Sequence, residues 1–367
     1  MERDRIRVAV LFGGRSCEHE VSVISARSVV AAIPRDKYEV VLIGISKDGR
    51  WYLADDESSM LAGSTVTGDA GTAVTLDCCD VHGMLCSRES GHGAGRQVDV
   101  FFPLLHGPYG EDGTVQGLLE LANVAYVGAG VTGSAVGMDK QLARRVFQAA
   151  NLPQLKHVVI RRSRWEDQRA AVLDMVENRL TFPVFVKPAC MGSSIGVGKA
   201  RTRLELEPAM DDAAQYDVKI MVEEAAENCR EVEVSILGNE APQASVPGEI
   251  VPGHEFYDYQ AKYVDDSSQL VVPARITPET ATRIQKLAIA AFHAVDAAGL
   301  SRVDFFVRKT DEFVYLNEIN TMPGFTPISM YPKLWQASGI GYADLVDRLI
   351  GLAMERWRET QRKRIVL

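Results

Sequence analysis

The first third of this 367-residue chain alternates short apolar runs with stretches of helical spacing. The apolar runs Arg7–Phe12, Tyr38–Ile45 and Val98–Leu104 predict strands, and Glu20–Ala32 predicts a helix with Ser16 as its N-cap. Alternation of this kind favours a parallel sheet with crossover helices. The sequence therefore indicates an α/β fold, in which ligand-binding turns lie at the carboxyl ends of the strands.

Two glycine-rich turns follow predicted strands, at Gly13–Glu18 and His106–Gly113. Glu18 heads the first helix, where a carboxylate either complements the helix dipole or receives a substrate ammonium. His106 follows an apolar strand and is either structural or part of a ligand site. The residues alone leave both alternatives open.

Composition narrows the class of protein. The chain is 46% hydrophobic and 24% charged, with a net charge of −9, so it is an ordinary globular protein of two or three domains. Because it has no dense Lys/Arg run, we expect neither nucleic acid nor a membrane surface as a partner. The apolar run Val8–Phe12 is too short for a signal peptide, and the six cysteines lack C-x-x-C spacing, so we expect a cytoplasmic protein with reduced thiols.

The pattern of elements predicts three domains. We place an N-terminal unit at residues 1–128, a central unit at 129–223 and a C-terminal unit at 224–367. Their predicted elements are the helices Asp139–Ala150, Pro278–Ala298 and Tyr342–Trp357 and the strands Phe182–Lys187, Lys219–Glu223 and Val232–Leu237. The polar region Ser58–Gln97, including a loop at Ser87–Arg96, is interpreted as decoration. The aromatic and charged segment 254–269 is long for a compact domain and predicts a lid.

A second pattern combines two apolar strands, Val303–Val307 and Phe313–Leu316, with polar side chains at one end. Asp304, Glu318 and Asn320 offer the hard oxygen ligands that Mg²⁺ prefers. The alternative, a solvated carboxylate pair at strand ends, is less consistent with acids that interrupt apolar strands.

The register of this hairpin determines whether the acids meet. A turn centred on Asp311 places Asp304 opposite Glu318 and Arg302 opposite Asn320, with Cβ atoms about 5 Å apart. Strict alternation also predicts that Glu318 and Asn320 share a face with Val314 and Leu316.

A glycine-rich segment, Gly192–Gly198, follows the strand that ends at Lys187. It predicts either a loop that binds phosphate through backbone N–H groups and serine hydroxyls, or an ordinary turn. It is not a Walker A motif. Glu223 and Glu224 end a predicted strand. Glu231, seven residues after Glu224, either binds a ribose hydroxyl or is a solvated charge, and spacing alone favours solvated charge.

Taken together, six segments in consistent order resemble the D-alanine–D-alanine ligases of the ATP-grasp superfamily. The segments cover nearly the whole chain and are Leu11–Ser22, His106–Gly113, Gly137–Lys140, Lys187–Gly196, Phe256–Tyr263 and Asn317–Thr326. The resemblance implies a three-domain α+β ATP-grasp fold, with a Rossmann-like N-terminal domain and two α+β domains that enclose ATP.

The resemblance also implies the reaction, ligation of two D-alanine molecules through D-alanyl phosphate for peptidoglycan synthesis. It implies ATP as a substrate, two Mg²⁺ (or Mn²⁺) ions and a homodimer. The catalytic residues would be Glu18, Ser193, Tyr263, Arg302 and Gly324. The substrate would be bound by His106 and Ser329, and the metal by Asp304, Glu318 and Asn320. The residues that would bind ATP are Lys140, Lys187, Ser194, Glu223, Glu224, Glu231 and Lys262.

Within this resemblance, the lid pair Lys262-Tyr263 favours a dipeptide product, because related ligases that make a depsipeptide replace it. One departure is the Asn228-Cys229-Arg230 step, which leaves open whether Glu223 or Glu224 meets adenine. Two other functions remain as alternatives, a nucleotide-binding regulatory protein without turnover and a different ATP-grasp carboxylate–amine ligase. The intact Arg302 argues against the first, and the lid motif argues against the second.

Overall fold

The computed structural model describes residues 5–78, 83–87, 96–251, 269–326 and 328–362. Three sheets, each with helices packed on it, follow one another along this part of the chain. The predicted α/β class is therefore confirmed. The predicted lid, with Lys262 and Tyr263, lies almost wholly outside the described residues.

The first sheet has eight strands, which are β1 (Ile6–Gly13), β2 (Tyr38–Ile45), β3 (Trp51–Ala54), β4 (Gly71–Leu76), β5 (Met84–Ser87), β6 (Arg96–Gln97), β7 (Val100–Pro103) and β8 (Ala125–Tyr126). Their order is β6-β5-β4-β3-β2-β1-β7-β8, and only the pairs among β2, β1, β7 and β8 are parallel. The region Ser58–Gln97, interpreted as decoration, supplies the antiparallel strands β4, β5 and β6 at one edge of this sheet, and most of its predicted loop Ser87–Arg96 lies outside the described residues.

The helices of this first unit are α1 (His19–Ala32), α2 (Glu57–Ala62), α3 (Thr114–Leu121) and α4 (Val131–Met138), with a 3₁₀ turn at Gly68–Ala70. Ser16 does not cap α1, because the turn after β1 continues through Glu18 and the helix starts only at His19. The Ser16 hydroxyl instead accepts a hydrogen bond from the Glu18 backbone N–H at 2.9 Å, which fixes this turn.

The second sheet is antiparallel, in the order β11-β10-β12-β9. Its strands are β9 (His157–Arg161), β10 (Val184–Pro188), β11 (Gly198–Ala200) and β12 (Lys219–Glu224), and the helices around it are α5 (Lys140–Ala149), α6 (Arg162–Asp167), α7 (Arg169–Arg179) and α8 (Arg203–Tyr216). Asp139 caps α5 by accepting from the backbone N–H groups of Gln141 at 3.0 Å and Leu142 at 3.2 Å. The predicted helix that opens with Lys140 is therefore confirmed.

The third sheet contains β13 (Cys229–Gly238), β14 (Gln243–Ala244), β15 (Gly248–Val251), β16 (Gln269–Val271), β17 (Gly299–Arg308) and β18 (Val314–Asn320). It runs in the order β16-β15-β13-β17-β18, with β14 paired to β13. Helices α9 (Pro278–Ala294), α10 (Met330–Ala337) and α11 (Tyr342–Gln361) complete the described chain.

The hairpin β17–β18 pairs Asp304 with Glu318 and Arg302 with Asn320, as predicted. Between Asp304 and Phe305 the register shifts by one residue, so β18 carries a bulge. The prediction that Glu318 and Asn320 share a face with Val314 and Leu316 is therefore wrong. Ile319 joins Val314 and Leu316 in the core, because one extra residue in a strand reverses the faces that follow it.

The first unit does not complete its own core. Val10 and Phe12 of β1 pack in one cluster with Leu345, Leu349 and Ile350 of α11. Helix α11 therefore covers one face of the first sheet from the far end of the chain. Each described cysteine is free. Within the described ranges, no helix combines the length and apolar character needed to cross a membrane.

Candidate active site

An open cleft of about 1050 Å³ lies where the three sheets meet. The predicted site residues that line it come from all three units and are Glu18, His106, Lys140, Ser193, Arg302, Glu318, Asn320, Gly324 and Ser329. The fold thus collects residues that are up to three hundred positions apart in the chain.

Three neighbouring strands of the third sheet present a polar face to this cleft. The pairing of β13 with β17 and of β17 with β18 aligns Glu233, Asp304 and Glu318 in one row across the strands. The adjacent row is Ser235, Arg302 and Asn320. Because directly opposed residues lie on the same face, the predicted metal ligands and Arg302 form one surface.

Arg302 is held between two carboxylates on this surface. Its Nε and Nη2 donate to the two oxygens of Asp304 at 2.8 and 2.7 Å, a bidentate pair. Its Nε also lies 3.1 Å from Oε2 of Glu233, which is buried. The guanidinium is therefore fixed at the mouth of the cleft.

Sequence reasoning missed Glu233. The available signal was an acid within the strongly apolar strand Val232–Leu237. It lies two residues after Glu231, on the same face of the strand. A buried acid at such a position requires a partner, and Arg302 supplies one.

The two predicted phosphate-binding lysines have different surroundings. Lys140 lines the cleft, donates to the Met191 carbonyl at 2.7 Å and lies 3.7 Å from Oε2 of Glu318. Lys187 is buried and donates to Glu223, which also pairs with Arg144 at 2.6 Å. Burial alone would raise the pKa of Glu223. The charges of Lys187 and Arg144 nevertheless hold that pKa below its ordinary value.

The glycine-rich segment connects β10 to β11 and lies beside the first unit. Ser193, Ser194 and Gly196 have φ angles of 50°, 59° and 67°, so the backbone of this segment turns through the left-handed region at three of its residues. The Ser193 hydroxyl donates to Oε1 of Glu18. The structure therefore brings Glu18 and Ser193 together, as expected, while their partner Tyr263 lies outside the described residues.

Glu18 shares its surroundings with two buried groups. His106 is buried, with Nδ1 at 3.1 Å from the Met322 carbonyl and Nε2 at 3.2 Å from the Ser25 hydroxyl. Burial lowers the pKa of His106, so the ring is neutral at pH 7. The His106 ring therefore offers hydrogen bonds rather than a charge.

Glu111 is the second buried group and was not predicted. It accepts from the Gly107 backbone N–H at 2.8 Å, and it lines the cleft. Burial, together with the charge of Glu18, raises the pKa of Glu111 to about 8. The motif His106–Gly113 contained this residue, but its burial depends on contacts that the sequence does not show.

The remaining predicted residues lie around the cleft. Gly324 and Ser329 flank Thr326, whose hydroxyl lies 2.7 Å from the Ser329 hydroxyl. Glu224 accepts from the Thr181 backbone N–H at 3.0 Å, and Glu231 is half-buried within β13. Asp304, Lys187, Ser194, Glu223, Glu224 and Glu231 are not among the described residues that line the cleft.

The donors on the polar face suit a hard cation. Glu318 and Asn320 present oxygen atoms at the cleft, and Asp304 adjoins them in the same sheet. Among the described residues, no cluster of three or more His, Cys, Asp or Glu side chains is arranged to hold an ion alone. Mg²⁺ is commonly bound by one or two carboxylates together with substrate phosphates, and Asp304 and Glu318 are two neighbouring carboxylates.

The fold resembles solved structures over nearly its whole length. A D-alanine-D-alanine ligase from Coxiella burnetii aligns with a TM-score of 0.86 and 36% identity, covering 98% of this chain and 97% of that one. A VanG D-Ala:D-Ser ligase from Enterococcus faecalis aligns with a TM-score of 0.85 and 35% identity, covering 95% and 99% of the two chains. Fold and cleft together therefore define the class of protein, an ATP-grasp ligase.

Sequence comparisons narrow this class. The family models for the D-ala D-ala ligase N-terminus and C-terminus match residues 7–129 and 146–351. A D-alanine–D-alanine ligase from Heliobacterium modesticaldum is 51% identical over 97% of this chain and 96% of its own length. One from Acetivibrio thermocellus is 46% identical over 97% and 98%. The chain belongs to the D-alanine–D-alanine ligase family.

Proposed function

We propose that this chain joins two D-alanine molecules into D-alanyl-D-alanine at the expense of ATP. Family membership over nearly the whole length supports this activity. The observation that carries the proposal is the single cleft that holds Glu18 of the first unit, Ser193 of the second and Arg302 of the third. A reaction between two amino acids and a nucleotide requires three such binding regions to meet.

The first step is phosphoryl transfer. A carboxylate oxygen of the first D-alanine attacks the γ-phosphorus of ATP, and the bond to the ADP oxygen breaks. Lys140, Lys187, Ser194 and Lys262 hold the phosphates, while Glu223, Glu224 and Glu231 contact the adenosine. Positioning and charge neutralisation are what this chemistry demands of the protein.

Glu18 binds the ammonium of the first D-alanine. Its carboxylate is buried beside Gly107 and Ser193, where a cation would find a charge partner in a place with little water. The neutral His106 ring lies nearby and adds no positive charge that would compete with the substrate ammonium.

The second step forms the peptide bond. The amino group of the second D-alanine, after losing a proton, attacks the acyl carbon, and the tetrahedral intermediate then expels phosphate. Arg302 and the Gly324 backbone N–H donate to the oxyanion, and Ser329 contacts the carboxylate of the second D-alanine. Donors fixed before the reaction stabilise such charge most effectively, which agrees with the two carboxylates that hold Arg302.

Asp304, Glu318 and Asn320 would hold two Mg²⁺ (or Mn²⁺) ions. When bound, the ions would neutralise charge on the transferring phosphoryl group. Because Arg302 occupies both oxygens of Asp304, the Glu233 carboxylate would retain the guanidinium when Asp304 turns to a metal.

An acylphosphate is lost to hydrolysis if water reaches it. The contact between Ser193 and Glu18 closes one side of the cleft, and Tyr263 of the lid would complete this hydrogen-bonded set. Exclusion of water is therefore the physical reason for a lid over this site.

Several further features follow from family membership and remain proposals. They are a cytoplasmic location, a homodimer and a role in supplying the dipeptide for peptidoglycan. The absence of a nucleic acid or membrane partner also stays a prediction.

The test supplies ATP, Mg²⁺ and D-alanine to the full chain and measures phosphate release together with dipeptide. We expect phosphate and dipeptide in equal amounts. ATP binding without phosphate release that depends on D-alanine would instead favour the regulatory alternative.

One structural relative carries the name of a D-Ala:D-Ser ligase, so the second substrate needs its own test. D-Alanine with D-serine or D-lactate in competition should yield mainly D-alanyl-D-alanine. A dominant mixed dipeptide or depsipeptide would overturn the assignment of the second substrate but not of the first.

A further inference from the structure

We propose that Arg144 is a positioning residue that stabilises the bulge at Asn317 and thereby directs Glu318 and Asn320 toward the cleft. The inference rests on the proposed metal-binding role of those two residues. It adds a residue that is not among the described residues lining the cleft.

The bulge determines which way the metal ligands face. Val314 and Leu316 are buried in the core of the third unit, and strict alternation would bury Glu318 on the same side. The extra residue, Asn317, buries Ile319 instead and leaves Glu318 and Asn320 on the face of Arg302 and Asp304. If β18 instead ran regularly through Asn317, with no bulge, the side chain of Glu318 would face an apolar core, which is costly for a carboxylate.

The bulge lies on the last strand in the order of its sheet, so residues outside the sheet must satisfy its backbone. Leu316, directly before the extra residue, donates its backbone N–H to the Pro153 carbonyl at 2.7 Å. Its own carbonyl accepts from Nη1 of Arg144 at 3.0 Å. Nη2 of Arg144 also lies 3.4 Å from Oδ1 of Asn317, so Arg144 contacts both residues that define the bulge.

Arg144 is itself held rigidly. It is buried, and its Nη2 donates to Oε2 of Glu223 at 2.6 Å, while the other oxygen of Glu223 accepts from Lys187. Helix α5 carries Arg144 one turn after Lys140, whose ammonium lies 3.7 Å from Glu318. A contiguous polar chain thus joins the proposed phosphate-binding lysines to the strand of the metal ligands.

Arginine suits this position better than lysine. Its planar guanidinium donates in fixed directions to a carbonyl, an amide and a carboxylate at once, whereas lysine offers a single ammonium on a flexible stem. Arg144→Lys therefore keeps the charge beside Glu223 but cannot reproduce the contacts to the bulge. The neighbouring Arg145 lies exposed on the same helix, so Arg145→Lys is a matched control.

The experiment measures ADP affinity by titration calorimetry, once with Mg²⁺ and once with a chelator, without D-alanine. The ratio of the two affinities reports how well the metal ligands are placed, independently of turnover. We expect Arg144→Lys to lower this ratio about tenfold, as changes behind metal ligands commonly do, and Arg145→Lys to leave it unchanged. A general loss of fold would lower both affinities together and leave the ratio intact.

A ratio in Arg144→Lys equal to that of the unmodified chain overturns the inference. If Arg144→Lys does not fold, Asn317→Ala removes one contact to the bulge and keeps the Arg144–Glu223 pair. We then expect the ratio to fall about threefold, the usual effect of one hydrogen bond, and an unchanged ratio overturns the inference. If Mg²⁺ does not change the ADP affinity of the unmodified chain, the proposed metal assignment itself fails. That result is distinguishable from a failure of the inference about Arg144, which affects only the variants.

Discussion

Charged side chains in and around the cleft are oriented by the opposite charges that lie next to them. Arg302 is oriented by Asp304 and Glu233, and Glu223 by Lys187 and Arg144. Among the described residues, none gives Glu111 such a cationic partner within hydrogen-bonding distance, and the pKa of Glu111 is raised. Two predictions at the scale of the residue follow from this contrast.

The first prediction concerns Asp304→Asn. The amide keeps the size of the side chain but removes the charge that faces both Arg302 and a cation, so we expect turnover to fall by at least about 100-fold. Asp311→Asn is the control, because Asp311 lies at the tip of the same hairpin and pairs with Arg308 away from the cleft. Both variants should unfold cooperatively in a thermal melt. Loss of cooperative unfolding in Asp304→Asn alone would indicate a structural role.

The second prediction concerns Glu111→Gln and pH. A folded-state pKa of about 8, above the ordinary value of 4.5, means that the folded chain retains a proton that the unfolded chain releases. This group therefore makes the free energy of unfolding decrease between about pH 5 and about pH 8, by at most about 4 kcal/mol. Glu111→Gln should remove that decrease, as measured by urea unfolding across this range. Parallel pH profiles for variant and parent would contradict the raised pKa.

At the scale of elements, the turns after the strands hold the site together more than the strands do. Gly107, in the turn between β7 and α3, has φ of +74°, and a Cβ there would lie 2.8 Å from Oε2 of Glu18. The turn thus packs directly against the carboxylate that Ser193 contacts. Its backbone conformation and its lack of a side chain are both required.

The third prediction follows from this turn. Gly107→Ala should destabilise the chain by about 1 to 2 kcal/mol, since a side chain is strained at positive φ, and should raise KM for D-alanine by displacing Glu18. The control is Gly351→Ala, because Gly351 lies in α11 with open space at its Cβ position. That substitution should stabilise the helix by about 0.5 to 1 kcal/mol and leave KM unchanged. An unchanged KM in Gly107→Ala would contradict the proposed anchoring role of Glu18.

At the scale of the whole molecule, the ends of the chain depend on each other. Helix α11 fills the core beneath β1, and Arg356 of this helix donates to the Tyr126 carbonyl at 3.1 Å. Its guanidinium also lies 4.2 Å from the centre of the Tyr126 ring. The core of the first unit therefore includes residues from both sides of the predicted boundary at residue 128.

The fourth prediction tests this dependence. A fragment of residues 1–128 should lack cooperative unfolding, because the apolar face that α11 covers would be exposed to water. Circular dichroism during a thermal melt measures the cooperativity of unfolding, and the full chain is the control. A fragment that melts cooperatively would show that the first unit folds without α11.

The sequence predicted most elements and the register of the hairpin, because apolar periodicity is local. The strand β2 agrees with the prediction to the residue, and α5 begins one residue after the predicted start at Asp139. It did not predict the antiparallel extension β4–β6 or the burial of Glu111 and Glu233. These depend on partners that are distant along the chain, and no local pattern encodes them.

What the sequence determined by itself is the set of chemical groups and their order, namely carboxylates and an amide, an arginine, two lysines and a glycine-rich loop. Only the tertiary structure decided how these groups are used. It reversed the face of Glu318 and Asn320 through a bulge, and it placed Glu18 of the first unit against Ser193 of the second. The physical reason is that periodicity determines a side chain's direction only while a strand is regular, whereas burial and charge depend on what packs against it.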